Sequence, residues 1–262
     1  MTPEALQREI WAPERSAQLS AQIARSNARY LSLAAGLTPL RGAVLAAVEG
    51  LTRLPAGCAV IVLDGVAAAL DARDWVRSAE AAARRHGAGT ARVYLDVPVP
   101  PLERELLALG FQRRVHDVLL TPPGPAPDGE ELRLVPVEGP LWEVVRDLQP
   151  ARGELMRRKQ EAGGLECYLL ESGRRLRGTL GIVPMPDVLT ITDLVVHPDD
   201  RRAGVGRAAV RAVWLTALER GRSAAGLLAR RGTSCSALGE SAGCRPAGAV
   251  AEWSRTLIRP ST

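Results

Sequence analysis

His197-Pro198-Asp199-Asp200-Arg201-Arg202-Ala203-Gly204-Val205-Gly206-Arg207 is the stretch that decides how this chain is read. It leaves an apolar run, Val188 to Val196, that reads as a strand. It enters a segment, Val205 to about Arg220, in which Val205, Ala209, Ala212, Val213 and Leu218 recur near one face of a helix. The R-x-x-G-x-G core therefore lies at a strand-to-helix turn. Two glycines there let backbone N–H groups approach a ligand closely, at the end of a helix whose partial positive charge favours phosphate. A side chain at Gly204 or Gly206 is expected to intrude on that ligand. The chain also carries a control, because Arg84-Arg85-His86-Gly87-Ala88-Gly89 fits the same pattern. That match lies where a helix ends and a strand begins, so its glycine reads as a C-cap and no helix N-terminus is gathered around it. No Lys-Ser/Thr pair follows the glycines of the first match, which excludes a Walker loop, and G-x-G-x-x-G is absent.

Outward from the turn, the spacing predicts strands over Leu132–Val135, Leu165–Leu170, Leu176–Val183 and Val188–Val196, then Ala225–Leu228 and Ala247–Leu257. Helices are expected at Leu141–Leu148, Arg152–Ala162 and Ser234–Ala242. Before them, Thr121 to Gly129 reads TPPGPAPDG; proline lacks the N–H and fixes φ, so a linker is expected at 121–130 between one domain at 1–120 and another at 131–262. The first part opens with an Ala-rich helical region from Pro13 to about Gly50, broken near Gly36 and Pro39. It continues through a strand at Cys58–Leu63, a helix at about Ala68–His86, a strand at Ala91–Val97, a short helix at Leu102–Leu109 and a strand at Arg114–Leu120. Both parts close in one order: buried strand, long helix, strand, short helix ending in Gly, final strand. Leu109-Gly110-Phe111 matches Ala242-Gly243-Cys244, and such self-similarity argues for two copies of one unit.

With strand, H-P-x-x-R-R-x-G-x-G-R turn, helix, strand and short helix in order, residues 132–257 resemble the GNAT (GCN5-related N-acetyltransferase) superfamily of acyl-CoA N-acyltransferases. The resemblance implies an α/β fold of two GNAT-like units, each a mixed, splayed sheet flanked by helices, the first partial or degenerate. It places the pantetheine arm of acetyl-CoA against Leu194, Val195 and Val196, with Arg201, Arg202, Ala203, Gly204, Val205, Gly206 and Arg207 around the pyrophosphate. The residue types agree, since successive N–H groups form an anion nest. In the first part the corresponding place reads Asp64-Gly65-Val66-Ala67-Ala68-Ala69, acidic and without G-x-G, so that copy is not expected to bind CoA.

The implied reaction moves an acyl group, most simply acetyl, to a primary amine of a small molecule or peptide. It needs a polarising N–H, assigned to a backbone amide in Leu194 to Val196, a route for the ammonium proton, and a donor for the leaving thiolate. Asp193, where many relatives carry Glu, is the first candidate base, and a carboxylate merely hydrogen-bonded near the strand end is the other reading. Glu166 is the second candidate, and a relayed water the third. The chain departs from the family at the acid: the usual Tyr, four residues before the terminal Gly, is Gly239, and the usual Asn is Gly232. Cys235, Ser234 or water are left to protonate the thiolate, and the departure keeps open a non-catalytic acyl-CoA-binding or scaffold protein. His197 reads as loop punctuation before Pro198. Tyr168, Trp142, Trp214 and Trp253 can either line an acceptor pocket or anchor the core.

Composition narrows the remaining classes. The 262 residues are 46% hydrophobic and 24% charged, with no run of the roughly 18–20 apolar residues that a membrane span needs, so a cytoplasmic protein is expected. The four cysteines show no C-x-x-C pair, and no histidines stand at zinc-ligand spacing, so neither a disulfide framework nor a metal site is suggested. Net charge is only +5, carried almost wholly by arginine with Lys159 the sole lysine, and the Arg pairs are scattered without aromatic interleaving; nucleic acid is not an expected partner. A monomer that is an internal pseudo-dimer, or a homodimer, fits two copies in one chain.

Overall fold

The computed structural model describes residues 9–54, 56–121 and 131–257. Beyond Thr121, the linker expected at 121–130 falls outside them. The chain forms two compact units that do not follow the halves expected from the sequence. One gathers the residues through Tyr30 with Asp117–Gly248, the other Leu31–His116 with the residues from Ala249 onward. Three elements are thus divided: the first described helix, the strand that ends the first part, and the last strand.

The unit that contains the R-x-x-G-x-G turn begins with helix α1 (Pro13–Ser32), which belongs to it as far as Tyr30. Its sheet runs in the order β5 (Gln112–Leu120, here from Asp117), β10 (Ala224–Arg230), β9 (Val188–Val196), β8 (Arg175–Pro184), β7 (Glu166–Ser172), β6 (Arg133–Pro136). Strands β6 to β9 are antiparallel neighbours, and β9 and β10 are parallel. A parallel pair requires a crossover, which α7 (Val205–Glu219) provides. Val205, Ala209, Val210, Val213 and Ala217 of α7 pack on Leu180, Ile182, Leu189, Ile191, Ala225 and Leu227. Side chains alternate along a strand, so Gly226 points to the opposite face. A Cβ there would lie 2.3 Å from Ile23 Cδ1 of α1 and 2.8 Å from the Leu119 carbonyl. Helices α5 (Leu141–Leu148) and α6 (Pro150–Glu161) join β6 to β7, and α8 (Ser234–Ser241) joins β10 to β11 (Arg245–Thr256).

In the other unit the sheet order is β1 (Gly36–Leu40), β2 (Ala43–Ala47), β3 (Cys58–Val62), β4 (Thr90–Leu95), β11 from Ala249. Strands β3 and β4 are parallel, with α2 (Gly65–Ala69) and α3 (Ala72–Arg85) between them in the chain; α4 (Pro100–Ala108) follows β4. Val60, Val93 and Leu95 meet Trp75, Val76, Ala79 and Ala82 of α3 and Leu102, Leu106 and Phe111 in one core. The helical reading of the region to Gly50 fails after α1. Residues 36–47 form a hairpin instead, with Leu40 opposite Ala43. Gly42 turns it at φ +66°, where an added Cβ would lie 2.5 Å from the Asp64 carbonyl. Alanine tolerates strand as well as helix, and pairing with β3 decides the matter.

Candidate active site

The register of β9 and β10 creates the site. Their pairing covers only Val188–Ile191 against Ala224–Leu227. Past Ile191 the two parallel strands have no paired residues, which leaves the backbone of Thr192–Val196 without strand partners on that edge. On its other edge β9 stays bonded to β8, but with a register shift opposite Asp193 and Leu194: Thr179 pairs with Val195 and Gly181 with Thr192. Asp193 takes φ +48°, an uncommon conformation for a residue with a side chain, and forms the bulge. Its side chain is 2% exposed, although the residue as a whole is half-buried. The carboxylate is thus shut away from solvent.

At the C-terminal end of β9 the chain makes a 3₁₀ turn, Pro198–Asp200, capped by His197, whose Nδ1 accepts the Asp199 N–H at 3.4 Å. That contact agrees with the punctuating role expected for His197. Asp200 is buried and binds Arg177 at 2.5 Å and Arg175 at 2.9 Å, which fastens the turn to β8. Arg202 (φ +67°) and Gly204 (φ +85°) both lie in the left-handed region, and within the turn the Arg201 and Ala203 N–H groups donate to the Pro198 and Asp200 carbonyls, each at 3.3 Å. No side chain caps α7. Arg201, Arg202, Ala203 and Arg207 are exposed around it. An open strand edge that leads to an uncapped helix N-terminus fits a long amide-bearing chain with a phosphate end.

The two glycines do different work. At Gly204 the requirement is conformational, since a Cβ would meet nothing nearer than Arg207 Nη2 at 3.5 Å. At Gly206 a Cβ would lie 2.9 Å from Leu238 Cδ1, so this glycine admits α8 rather than clearing ligand space, which corrects the expectation for it.

The carboxylate of Asp193 accepts from the Tyr30 hydroxyl and pairs with Arg152 at 2.9 Å. Gln149 Nε2 reaches the Asp193 carbonyl at 3.3 Å and Thr179 Oγ1 at 2.7 Å. Beneath them Lys159, fully buried, donates to the Tyr30 carbonyl and stands 4.2 Å from the Tyr30 ring centroid. Burial lowers the Lys159 pKa to about 8, against the upward pull of Asp193. Burial, then Asp193, pushes the Tyr30 phenol well above its ordinary value, so it keeps its proton and donates a hydrogen bond at neutral pH. The Cys167 thiol is raised by the same causes.

Glu166 is not brought to this cluster. It binds Arg220, the C-cap of α7, at 2.7 Å and the Tyr168 hydroxyl at 2.5 Å. The turn lies at the other end of this 15-residue helix, roughly 20 Å away by helix rise. Tyr168, Trp214 and Trp253 are core residues, and Trp142 is half-buried. At Gly239 a Cβ would lie 2.3 Å from Leu119 Cδ1, so the place of the family's usual Tyr is closed by a leucine of β5. Cys235 is half-buried, its Sγ 3.9 Å from the Leu228 carbonyl, with burial raising its pKa. Sequence reasoning passed over Tyr30, Arg152 and Asp200; Lys159 had a signal, as the one lysine.

A splayed parallel pair with an open strand edge, leading to an uncapped helix N-terminus, is the arrangement of this α/β unit. Residues 138–229 match the model of the Acetyltransferase (GNAT) family, and the chain carries a GNAT domain there. No curated protein matches in sequence. Among solved structures, a GCN5-related N-acetyltransferase from Sphaerobacter thermophilus aligns at TM-score 0.60 and 17% identity, over 96% of this chain and 95% of that one. One from Kribbella flavida aligns at 0.58 and 14%, over 91% and 95%. A tandem GNAT protein from the clavulanic acid biosynthesis pathway aligns at 0.52 and 16%, over 84% and 79%. At these identities the likeness is one of fold, and it covers most of the chain. Among the described residues no helix is long and apolar enough to cross a membrane.

Proposed function

We propose that the chain is a cytoplasmic N-acetyltransferase that carries acetyl from acetyl-CoA to a primary amine of a small molecule or peptide. The observation that carries this is the end of β9–β10 pairing at Ile191–Leu227 beside the uncapped, left-handed turn at Arg202–Gly204. Backbone groups of Leu194–Val196 hold the pantetheine amides and polarise the thioester, and the Arg201–Arg207 turn, through the N–H groups that open α7, holds the pyrophosphate. The amine nitrogen forms the C–N bond as the C–S bond breaks; water takes the ammonium proton and returns one to the thiolate. Asp193, engaged by Arg152 and Tyr30, acts in this reading by fixing the bulge rather than as the proton acceptor. The first part is a degenerate copy that leaves CoA to the second.

Calorimetry with CoA, together with thiol release from acetyl-CoA in the presence of a panel of amines and peptides, tests the reading. Saturable CoA binding with amine-dependent thiol release is expected. Binding without release supports the second reading, a non-catalytic acyl-CoA-binding protein, which the closed position at Gly239 favours. Absence of CoA binding overturns both.

A further inference from the structure

Only one of the 34 Lys and Arg residues is a lysine, and it is wholly buried. A guanidinium has five N–H groups in a fixed fork, whereas an ammonium has three that rotate, so a closed pocket with few acceptors selects lysine even in a chain that otherwise uses arginine. Lys159 donates to the Tyr30 carbonyl and lies over the Tyr30 ring, and its charge is also attracted by Asp193. Tyr30 is itself 5% exposed and places its hydroxyl on Asp193. Of the other two partners of that carboxylate, Arg152 is 40% exposed, so its attraction is weakened by solvent, and the Thr192 hydroxyl is 3.4 Å away. Tyr30 is the dry contact.

The bulge needs such a contact. A left-handed Asp inside a strand persists only where its surroundings over-determine it. A one-residue slip would exchange the two faces of the strand, take the carboxylate away from its buried partners and undo the bulge.

We propose that Tyr30 and Lys159 are positioning residues of the acyl-transfer site: Lys159 fixes Tyr30, and Tyr30 keeps the Asp193 carboxylate buried and so holds the bulge that sets the backbone of Leu194–Val196 for the thioester. This rests on the acyl-transfer reading above. Tyr30→Phe, which removes one hydroxyl, and Lys159→Met test it through the carbonyl ¹³C resonance of bound [1-¹³C]acetyl-CoA, amide exchange over residues 192–196 of the free protein, and CoA affinity. In both variants the bound resonance should move back toward that of free acetyl-CoA and exchange over 192–196 should quicken. Thiol release at saturating acetyl-CoA should fall about tenfold or more while CoA affinity stays within about twofold. If Lys159→Met does not fold, Tyr30→Phe carries the test alone. A Tyr30→Phe protein that binds CoA and keeps the parental resonance, exchange and turnover overturns the inference and leaves the acyl-transfer reading standing. A parent protein that binds no CoA removes both.

Discussion

Two strand-to-helix turns occupy the same place in the two units, one after β3 and one after β9, and they treat their helix N-terminal amides in opposite ways. After β3, Asp64 Oδ1 accepts the N–H groups of Val66 and Ala67, each at 3.0 Å, so the chain's own carboxylate fills the position that an anion would take. After β9, Gly204 caps α7 without a side chain, and the left-handed turn keeps the amides open. Withholding a cap is what leaves a helix end able to take an anion, and the proposed function asks this of α7. The decoy at Gly87 adds a third state: Gly87 N–H bonds to the Arg84 carbonyl and Ala88 N–H to the Ala83 carbonyl, which terminates a helix and leaves nothing for a ligand.

The widest contrast between the units should appear in pH. Lys159 has a pKa of about 8 in the folded protein against an ordinary 10.5, so the unfolded chain binds more protons between those values. Stability therefore rises with pH from about 8 to about 10.5 and is constant on either side as far as this group decides. The difference in unfolding free energy between the parent and Lys159→Met should change by about 3 kcal/mol across that window, as measured by urea unfolding at a series of pH values. Equal pH profiles would remove the buried ammonium from the account.

Next in size, Gly204→Val forces a β-branched side chain to φ +85° and should weaken CoA binding at least about tenfold by calorimetry. The counterpart across the comparison is Asp64→Ala. It should lower stability by about 1 kcal/mol through the lost cap and leave CoA affinity unchanged. If Asp64→Ala instead created or altered CoA binding, the two turns would be less different than their capping suggests. The smallest effect is expected of Gly87→Ala, roughly 1 kcal/mol or less in thermal unfolding from the φ of +72°, again with parental CoA affinity. Together these variants separate left-handed strain as such from its effect on a ligand.

The turn of the candidate site was legible because its signals are local. The glycines, the proline after His197 and the 3.6-residue period that begins at Val205 place the turn between β9 and α7 without help from any distant residue. What escaped the sequence is what depends on distant partners. Residues 36–47 are neutral between helix and strand until β3 supplies a neighbour. Gly239 reads as a lost tyrosine, yet the reason a side chain is refused there is Leu119, 120 residues earlier. The fate of Asp193 hangs on Tyr30, 163 residues away, and no periodicity joins them. Glu166 has the right chemistry and the wrong end of α7. The splay itself is a failure of pairing, and a strand that stops pairing looks in sequence like one that continues.

The division of β5 and β11 between the units bears on how the chain is made. β4 pairs with the C-terminal strand, Leu95 opposite Ala251, so its edge must wait for 156 further residues to be synthesised. At roughly 5–20 residues per second the interval is about 8–30 s, long for an exposed strand edge in a crowded cell. The GNAT-bearing unit, by contrast, needs only Gly248 and what precedes it. Translation therefore delivers the parts of the GNAT-bearing unit before the other can close its sheet, and a cut in the proline-rich stretch would separate β4 from the strand that completes it.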